Sequence, residues 1–382
     1  MNQRSYLDYN ATAPLRPEVH EAVAEALSLY GNPSSVHAEG RTARAAIEAA
    51  RIKVANLVGA RPEDVVFTSG GTEANALALA AQSGEAWQCY LSAVEHPSVL
   101  SGGRFYRETT TTIPVTSDGI VDLGVLATEL EQHRRGGWRP LVSLMAANNE
   151  TGAIQPVVKA AEIVHEAGGL LHSDAVQAAG RIPLDMATLG ADMLSLSAHK
   201  IGGPKGVGAL VLREGVHVEP LIKGGGQERR RRAGTENVAG IVGFGVAAGL
   251  AAADLAKTVE IAKLRDGLEA GVLAIAPDAI VLSAAVPRLP NTSCTAVPGT
   301  KAETLVIGLD LAGVAVSSGS ACSSGKVEAS HVLSAMGVAP ELAQGAIRVS
   351  LGFATSNTDI QVFLRAFGEL IKRLKQSRKV AA

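Results

Sequence analysis

The sequence predicts an α/β protein: a large domain built on a mostly parallel seven-stranded sheet covered by helices, followed by a smaller α+β domain. Three observations carry this. Up to Leu212, short apolar runs alternate with helical patterns, as strands joined by crossover helices do. Polar clusters follow the ends of five of those runs, where parallel sheets gather their ligands. Beyond Leu212 the alternation gives way to a Gly- and Arg-rich loop and a long Ala-rich stretch.

The opening Tyr6–Pro14 reads as an extended arm entering a turn. Helices are expected over Pro17–Tyr30, with Pro17 in a first turn that needs no N–H there, and over Val36–Val58, after the turn-rich Gly31–Ser35. Strands are expected at Asp64–Thr68, Gln88–Ser92, Thr111–Val115, Leu141–Ala146, Gly169–Ser173, Ala191–Leu196 and Val207–Leu212. Between them lie helical patterns: an Ala/Leu segment running to Ala81, then Pro97–Glu108, Asp122–His133 and Pro156–Ala167. In the last of these Val157, Ala161 and Val164 recur at helical spacing and fall on one face. The Ala-rich region Val238–Ala274 is expected to lead away as the connector to the C-terminal domain. That domain would use strands near Ile280, at Asn291–Val297 and at Ile347–Leu351, helices over Lys301–Leu311 and Asp359–Lys375, and a frayed tail. The division expected is 15–250 for the large domain, and 1–14 with 251–382 for the small one.

Hydrophobic residues make up 47% of the chain, enough for a sizeable core, but aromatics only 3%, so that core must be mainly aliphatic. A net charge of −2 gives no footprint for nucleic acid or an anionic membrane. The run Arg229–Arg232 stands without a basic face around it and reads as a solvated or anion-facing surface. Met1–Asp8 lacks the apolar stretch of a signal peptide, and the apolar run Val238–Ala253 is short for a membrane span. Three cysteines without a Cys-x-x-Cys spacing point to reduced thiols, a cytoplasmic location and no metal site made of cysteines alone.

The stretch Ser195–Gly208 concentrates the chemistry. It places Ser197, His199 and Lys200 at the end of an apolar strand and before a Gly-rich turn. A lysine so placed suits Schiff-base formation with an aldehyde cofactor; alone, the stretch fits equally a Gly-rich turn with a solvated lysine. Ser69–Glu73, between a strand and a helix, suits an anion at the helix N-terminus and, equally, a capped helix start. Cys89 and Cys294 fall in apolar strands and read as small buried hydrophobes. Cys322 instead lies in the polar Ser317–Gly325, a setting that suits an accessible nucleophile.

Taken in order, Gly31-Asn-Pro-Ser-Ser, Thr68-Ser-Gly-Gly-Thr-Glu, Glu95-His-Pro, Asn148-Asn-Glu-Thr-Gly, His172-Ser-Asp-Ala-Val-Gln, Ser197-Ala-His-Lys, Arg232-Ala-Gly-Thr-Glu-Asn, Ser317-Ser-Gly-Ser-Ala-Cys and Arg348-Val-Ser-Leu-Gly resemble the cysteine desulfurases. These are members of the class V aminotransferase group of fold type I pyridoxal phosphate enzymes. The resemblance implies pyridoxal 5'-phosphate on Lys200, with Gly71, Thr72, Ser197 and His199 around its phosphate and Thr235 added by the partner subunit of a homodimer. It implies Asp174 at the ring nitrogen, Gln177 at the ring hydroxyl, and His96 stacked on the ring and moving protons. Asn149 and Arg348 would hold the carboxylate of L-cysteine, and Cys322 would take its sulfur as a persulfide, leaving L-alanine. No resident metal is implied, Cys322 being at most a transient iron–sulfur ligand through its persulfide. The expected partner is a sulfur-acceptor or iron–sulfur scaffold protein, with no nucleic acid and no membrane. The Ser-Ser-Gly-Ser-Ala-Cys form resembles the branch that serves iron–sulfur cluster or nitrogenase cofactor assembly. Rival readings are a selenocysteine lyase, another class V aminotransferase-type enzyme, or a non-catalytic sulfur carrier on the same fold. The family often has Gly at the position of Arg230, so the loop here should be stiffer or contact a different anion.

Overall fold

The computed structural model describes residues 4–80, 87–134, 136–318 and 330–381. The strands are β1 (Ser5–Tyr6), β2 (Val65–Thr68), β3 (Trp87–Ser92), β4 (Thr110–Ile113), β5 (Arg139–Ser143), β6 (Leu170–Asp174), β7 (Met193–Ser197), β8 (Gly208–Leu212), β9 (Ile280–Val281), β10 (Thr292–Ala296), β11 (Val314–Ala315), β12 (Ser317–Ser318) and β13 (Ala346–Ser350). β2 to β8 form one seven-stranded sheet in the order β2-β8-β7-β6-β5-β3-β4. Neighbours pair in parallel from β4 across to β7, while β8 is antiparallel to both β7 and β2. This is the mostly parallel sheet the sequence predicts.

The strands read as continuous apolar runs because both faces are covered. Val142, Leu171, Leu194 and Val211 pack into one hydrophobic cluster, and Leu141, Met193, Leu210 and Leu212 into another. Buried polar side chains interrupt this in places. His172 on β6 is fully buried between Ser143 on β5 and Ser195 on β7, with Nδ1 2.8 Å from one hydroxyl and Nε2 2.9 Å from the other. Beyond the large sheet, β12-β13-β10-β9 form an antiparallel sheet, and β1 pairs in parallel with β11. Leu7 of the N-terminal arm is buried in the same cluster as Phe363 and Phe367 of the last helix.

Three expectations need correction. The helix Val238–Asp254 does not lead away: Ile241, Phe244, Ala247, Ala248 and Ala251 are buried in the core of the large sheet. Its small residues permit close helix packing, and a Cβ on Gly245 would lie 2.6 Å from Ala50 of the helix Ala38–Leu57. The run Val238–Ile275 is long and apolar enough to cross a membrane by composition, but this half of it is core. The helix expected over Pro97–Glu108 ends at Leu100, because Gly102 and Gly103 adopt left-handed conformations (φ 75° and 57°) that end an α-helix. The tail expected to fray continues the helix Asn357–Ala381, a stretch with no Pro and, after Gly368, no Gly.

The Arg-rich loop contains the sharpest local strain. Glu228, Arg229 and Arg230 are all left-handed, with φ of 45°, 56° and 66°. The turn is held from beneath by a buried two-pronged pair, Arg51 Nη1 and Nη2 each 2.8 Å from a Glu228 carboxylate oxygen. Glu228 also accepts the Phe67 N–H at 2.9 Å, and the Arg51 guanidinium lies over the Phe67 ring.

Two outcomes follow from these local features. Burial draws the His172 imidazole down from 6.5 to about 4, so the folded protein keeps it neutral where the unfolded chain would take a proton. A depressed pKa gives stability that is complete above the unfolded value and is lost as pH falls through 6.5 toward 4. His172→Gln should therefore flatten the acid fall of the unfolding free energy, a contribution on the order of 3 kcal/mol. An unchanged slope in the variant would assign the acid sensitivity to other groups. Arg230→Gly should raise stability by about 0.5–1 kcal/mol, since a left-handed residue costs roughly 1–2 kcal/mol and Gly gives back part as unfolded-state freedom. A lowered thermal midpoint would mean that the Arg230 side chain stabilises the loop more than its backbone strains it.

Candidate active site

Parallel strands bring their carboxyl ends to one edge, and five sequence-distant polar clusters meet there. A cavity of about 220 Å³ is lined by Gly71, Thr72, His96, Asn149, Asp174, Gln177, Ser197, His199 and Lys200, nine positions marked in the sequence. Asn75, Ser98, Met145, Ala147 and Val176 complete its wall.

At one end the helix Gly71–Ala78 starts directly after β2. Its first N–H groups have no partner in the preceding turn and suit an anion. The turn fits only because Gly208 at the start of β8 has no side chain. A Cβ there would lie 2.6 Å from the Gly70 carbonyl carbon and 2.6 Å from the Leu196 carbonyl oxygen. Ser197 ends β7 opposite Gly208, and His199 follows in the next turn with Nδ1 3.1 Å from Thr12 Oγ1. Burial, then the positive charges of Lys200, Lys205 and Arg181, draw His199 down to about 4, so it is neutral at pH 7.

Asp174 ends β6 and is buried without an ion-pair partner among the described residues. One of its oxygens accepts Asn75 Nδ2 at 2.7 Å, the other the Val176 N–H at 2.9 Å. Asn75 also donates to Ser98 Oγ at 2.9 Å. His96 caps the short helix Pro97–Leu100: its Nδ1 accepts the Ser98 N–H at 3.2 Å and lies 2.7 Å from Ser98 Oγ. Nδ1 is thus an acceptor, which puts the proton of the neutral ring on Nε2. Burial lowers the His96 pKa, with Lys200 and His331 adding to the effect and Asp174 opposing it.

Lys200 Nζ donates to the carbonyls of Asn10 and Ala11 in the N-terminal arm, the latter at 2.9 Å. The Asn10 carbonyl also accepts Gln177 Nε2 at 3.0 Å. Asn10 Nδ2 donates to the Asn149 carbonyl at 3.1 Å and to Thr292 Oγ1 at 2.9 Å. The sequence reading missed Asn10 and Asn75. Asn75 had a signal, as the lone polar residue in Ala74–Ala80; Asn10 had none, since the arm is drawn in only by tertiary contacts.

Two marked residues, Arg348 and Thr235, lie outside the cavity wall. Arg348 on β13 is buried beside it, with Nη1 3.0 Å from the Asn149 carbonyl and Nη2 2.9 Å from Asp8 Oδ1. Thr235 is exposed and does not line the cavity of its own chain. Cys322 lies outside the described residues. Next to that segment, Ser330 donates to the buried Glu150 carboxyl at 2.6 Å, and His331 Nε2 lies 2.9 Å from the Glu95 carbonyl. Cys89 and Cys294 are fully buried, as expected.

Comparison with known proteins gives this arrangement its context. The family profile described as Aminotransferase class-V matches residues 5–363. A protein of Cereibacter sphaeroides named cysteine desulfurase is 46% identical over 98% of this chain and 97% of its own length. The X-ray structure of a NifS-like protein from Rickettsia africae superposes with a TM-score of 0.89 at 37% identity, covering 97% of this chain and 100% of that one. A structure described as SspA in complex with cysteine superposes with a TM-score of 0.77 at 29% identity, covering 91% and 98%. With parallel strand ends, a strand-end lysine and a buried strand-end carboxylate facing one cavity, the chain belongs to the class V aminotransferase family and, within it, to the cysteine desulfurases.

Proposed function

We propose that the cavity holds pyridoxal 5'-phosphate through Lys200 and that the protein converts L-cysteine to L-alanine, keeping the sulfur as a persulfide on Cys322 for iron–sulfur cluster assembly. The observation that carries this reading is the buried Asp174 carboxylate, which shares one cavity with Lys200 and a helix N-terminus and forms no ion pair among the described residues. A protonated pyridine nitrogen answers the carboxylate, and a phosphate dianion answers the helix start, Thr72, Ser197 and His199. The residues therefore fit the cofactor.

When bound, that cofactor supplies an electron sink for the pair left as the substrate loses its α-proton. The side chains do the rest. Asn75 and the Val176 N–H fix the Asp174 carboxylate, which would face the ring nitrogen. Gln177 offers an N–H to the ring oxygen. Lys200 Nζ, held over the arm carbonyls, takes and returns the α-proton, and His96 moves a proton at Nε2 while Ser98 fixes its other nitrogen. Asn149 and the adjoining Arg348 receive the substrate carboxylate, the guanidinium through a two-pronged contact. The Cys322 thiolate attacks the substrate sulfur: an S–S bond forms, the carbon–sulfur bond breaks, and its electron pair stays with carbon, which takes a proton. One cysteine and one thiol become one alanine and one persulfide.

The same reading includes a homodimer in which Thr235 completes the partner's phosphate site, supported by the exposure of Thr235 in its own chain. A sulfur-acceptor or scaffold protein would collect the persulfide sulfur. A division at 15–250, against 1–14 with 251–382, is supported by Leu7 packing with Phe363 and Phe367. Cytoplasmic residence is supported by the free buried thiols of Cys89 and Cys294.

Cys322→Ala should lose alanine and sulfide production from cysteine by about 10³-fold or more, as loss of a nucleophile does. The cofactor absorbance should still change on adding cysteine, because those earlier steps belong to Lys200, Asp174 and Arg348. Undiminished desulfuration by this variant would remove the persulfide role, and retained activity toward selenocysteine alone would favour a selenocysteine lyase. Thr235→Val should weaken cofactor retention roughly ten- to a hundredfold, the loss of one hydrogen bond to a charged group. A fully active monomer in sedimentation would refute the shared site.

A further inference from the structure

Behind the cavity lies a cation that these assignments do not use. Arg181 follows the turn after β6 and is buried. Its hydrogen bonds all go to uncharged acceptors. Nη1 donates to Gln177 Oε1 and, at 3.1 Å, to the Gln177 carbonyl, while Nη2 donates to the Tyr9 carbonyl at 3.3 Å. It forms no ion pair among the described residues, and the charged group that acts on it is Arg348, of the same sign. Burial draws it down to about 9, and it remains a cation at neutral pH. Removing a charge from water without a counter-charge is costly, so an arginine kept in such a place calls for a use.

The amide it touches has one permitted orientation. Gln177 Oε1 accepts from the Arg181 guanidinium, and Nε2 donates to the Asn10 carbonyl at 3.0 Å. Turning the amide over would set NH₂ against guanidinium and oxygen against carbonyl, two repulsive contacts in place of two hydrogen bonds. Nε2 has a second N–H, and Gln177 lines the cavity. The arginine is thus tied to the donor that the cavity presents, through a contact that neither Lys200 nor Asp174 makes.

Resting on the assignment of the cavity to pyridoxal phosphate, we propose that Arg181 is a positioning residue: it locks the Gln177 amide so that an N–H faces the ring oxygen, and it places an uncompensated positive charge behind that oxygen. Both effects favour the anionic oxygen and disfavour an added proton on the lysine-linked cofactor. Arg181 also lines, with Lys200, a second cavity that carries Tyr9, Arg16, Asp254, Lys257 and Glu260. These groups, Arg348, and His96, Asp174 and His199 of the first cavity all remain in place when Arg181 alone is changed.

The test is the visible absorbance of the pyridoxal phosphate-loaded protein followed against pH. Removing the cation and freeing the amide act in the same direction, so Arg181→Met should move the spectral midpoint up by about one pH unit. Arg181→Lys, which keeps the charge and a donor, should titrate close to the native protein. Arg181→Gln, which keeps only a donor, should fall between them, and this pair carries the test if Arg181→Met does not fold. Gln177→Leu combined with Arg181→Met should shift the midpoint by less than the two single shifts added, because the residues act as a unit. A native midpoint in Arg181→Met or Arg181→Gln, with only thermal stability reduced, would make the arginine a tie for the Tyr9 arm and overturn the proposal. Fully additive shifts would overturn it as well. A native protein that takes up no pyridoxal phosphate would instead remove the assignment of the cavity, a result visible before any variant is made.

Discussion

The carbonyl of Asn10 is the point on which the site is assembled. It accepts hydrogen bonds from both Lys200 Nζ and Gln177 Nε2, which come from the ends of two different strands of the large sheet. The side chain of the same residue joins Asn149, Thr292 and Asn291, and its N–H donates to Ser350 Oγ at 3.0 Å. One buried residue of the arm therefore binds the large sheet to β10 and β13 of the smaller one. An unpaired carbonyl or amide at this depth would cost about 1–3 kcal/mol each, so the arm, the lysine and the strand ends are held in register together.

Around that point burial shifts several titratable side chains toward their uncharged forms. Burial holds His172 and His199 near 4, and it lowers His96 as well. It also pushes Glu150 up to about 7 and Glu95 well above the carboxylate range, the charge of Asp174 adding to the effect on Glu95. Asp174 differs from these acids in its donors: two hydrogen bonds reach its two oxygens, whereas Glu95 Oε2 has no partner among the described residues. A hydrogen bond donated to each oxygen offsets the desolvation of a carboxylate, and an oxygen left without one adds to it. The arginines differ likewise: Arg51 is paired with Glu228, whereas Arg181 forms no ion pair among the described residues.

The Arg-rich loop shows strain held by a distant pair. Three consecutive left-handed residues persist because Glu228 is anchored under them by Arg51 and by the Phe67 N–H. Phe67 belongs to β2, the strand that delivers the helix start at Gly71. The loop that carries Thr235 and the strand that begins the candidate phosphate site are thus fixed to one another. Arg230, at a position where the family often has Gly, adopts the left-handed conformation that Gly reaches without strain.

The sequence by itself determined the strands, their mostly parallel order and the polar clusters at their ends. Apolar runs and turn residues are local signals, and parallel connection forces their carboxyl ends to one edge. Lys200, Asp174 and His96 were legible for that reason, each standing just past a strand. Only the tertiary structure decided the rest. The contacts of Asn10 with Lys200, Gln177, Thr292 and Ser350, and of Arg181 with the Tyr9 carbonyl, join remote segments and leave no mark in composition or periodicity. The helix Val238–Asp254 was misread as a connector because Ala and Gly serve equally well in a linker and in a tight helix contact. The buried partners Arg51 and Glu228 are 177 residues apart, and what joins them is packing, which no window along the chain contains.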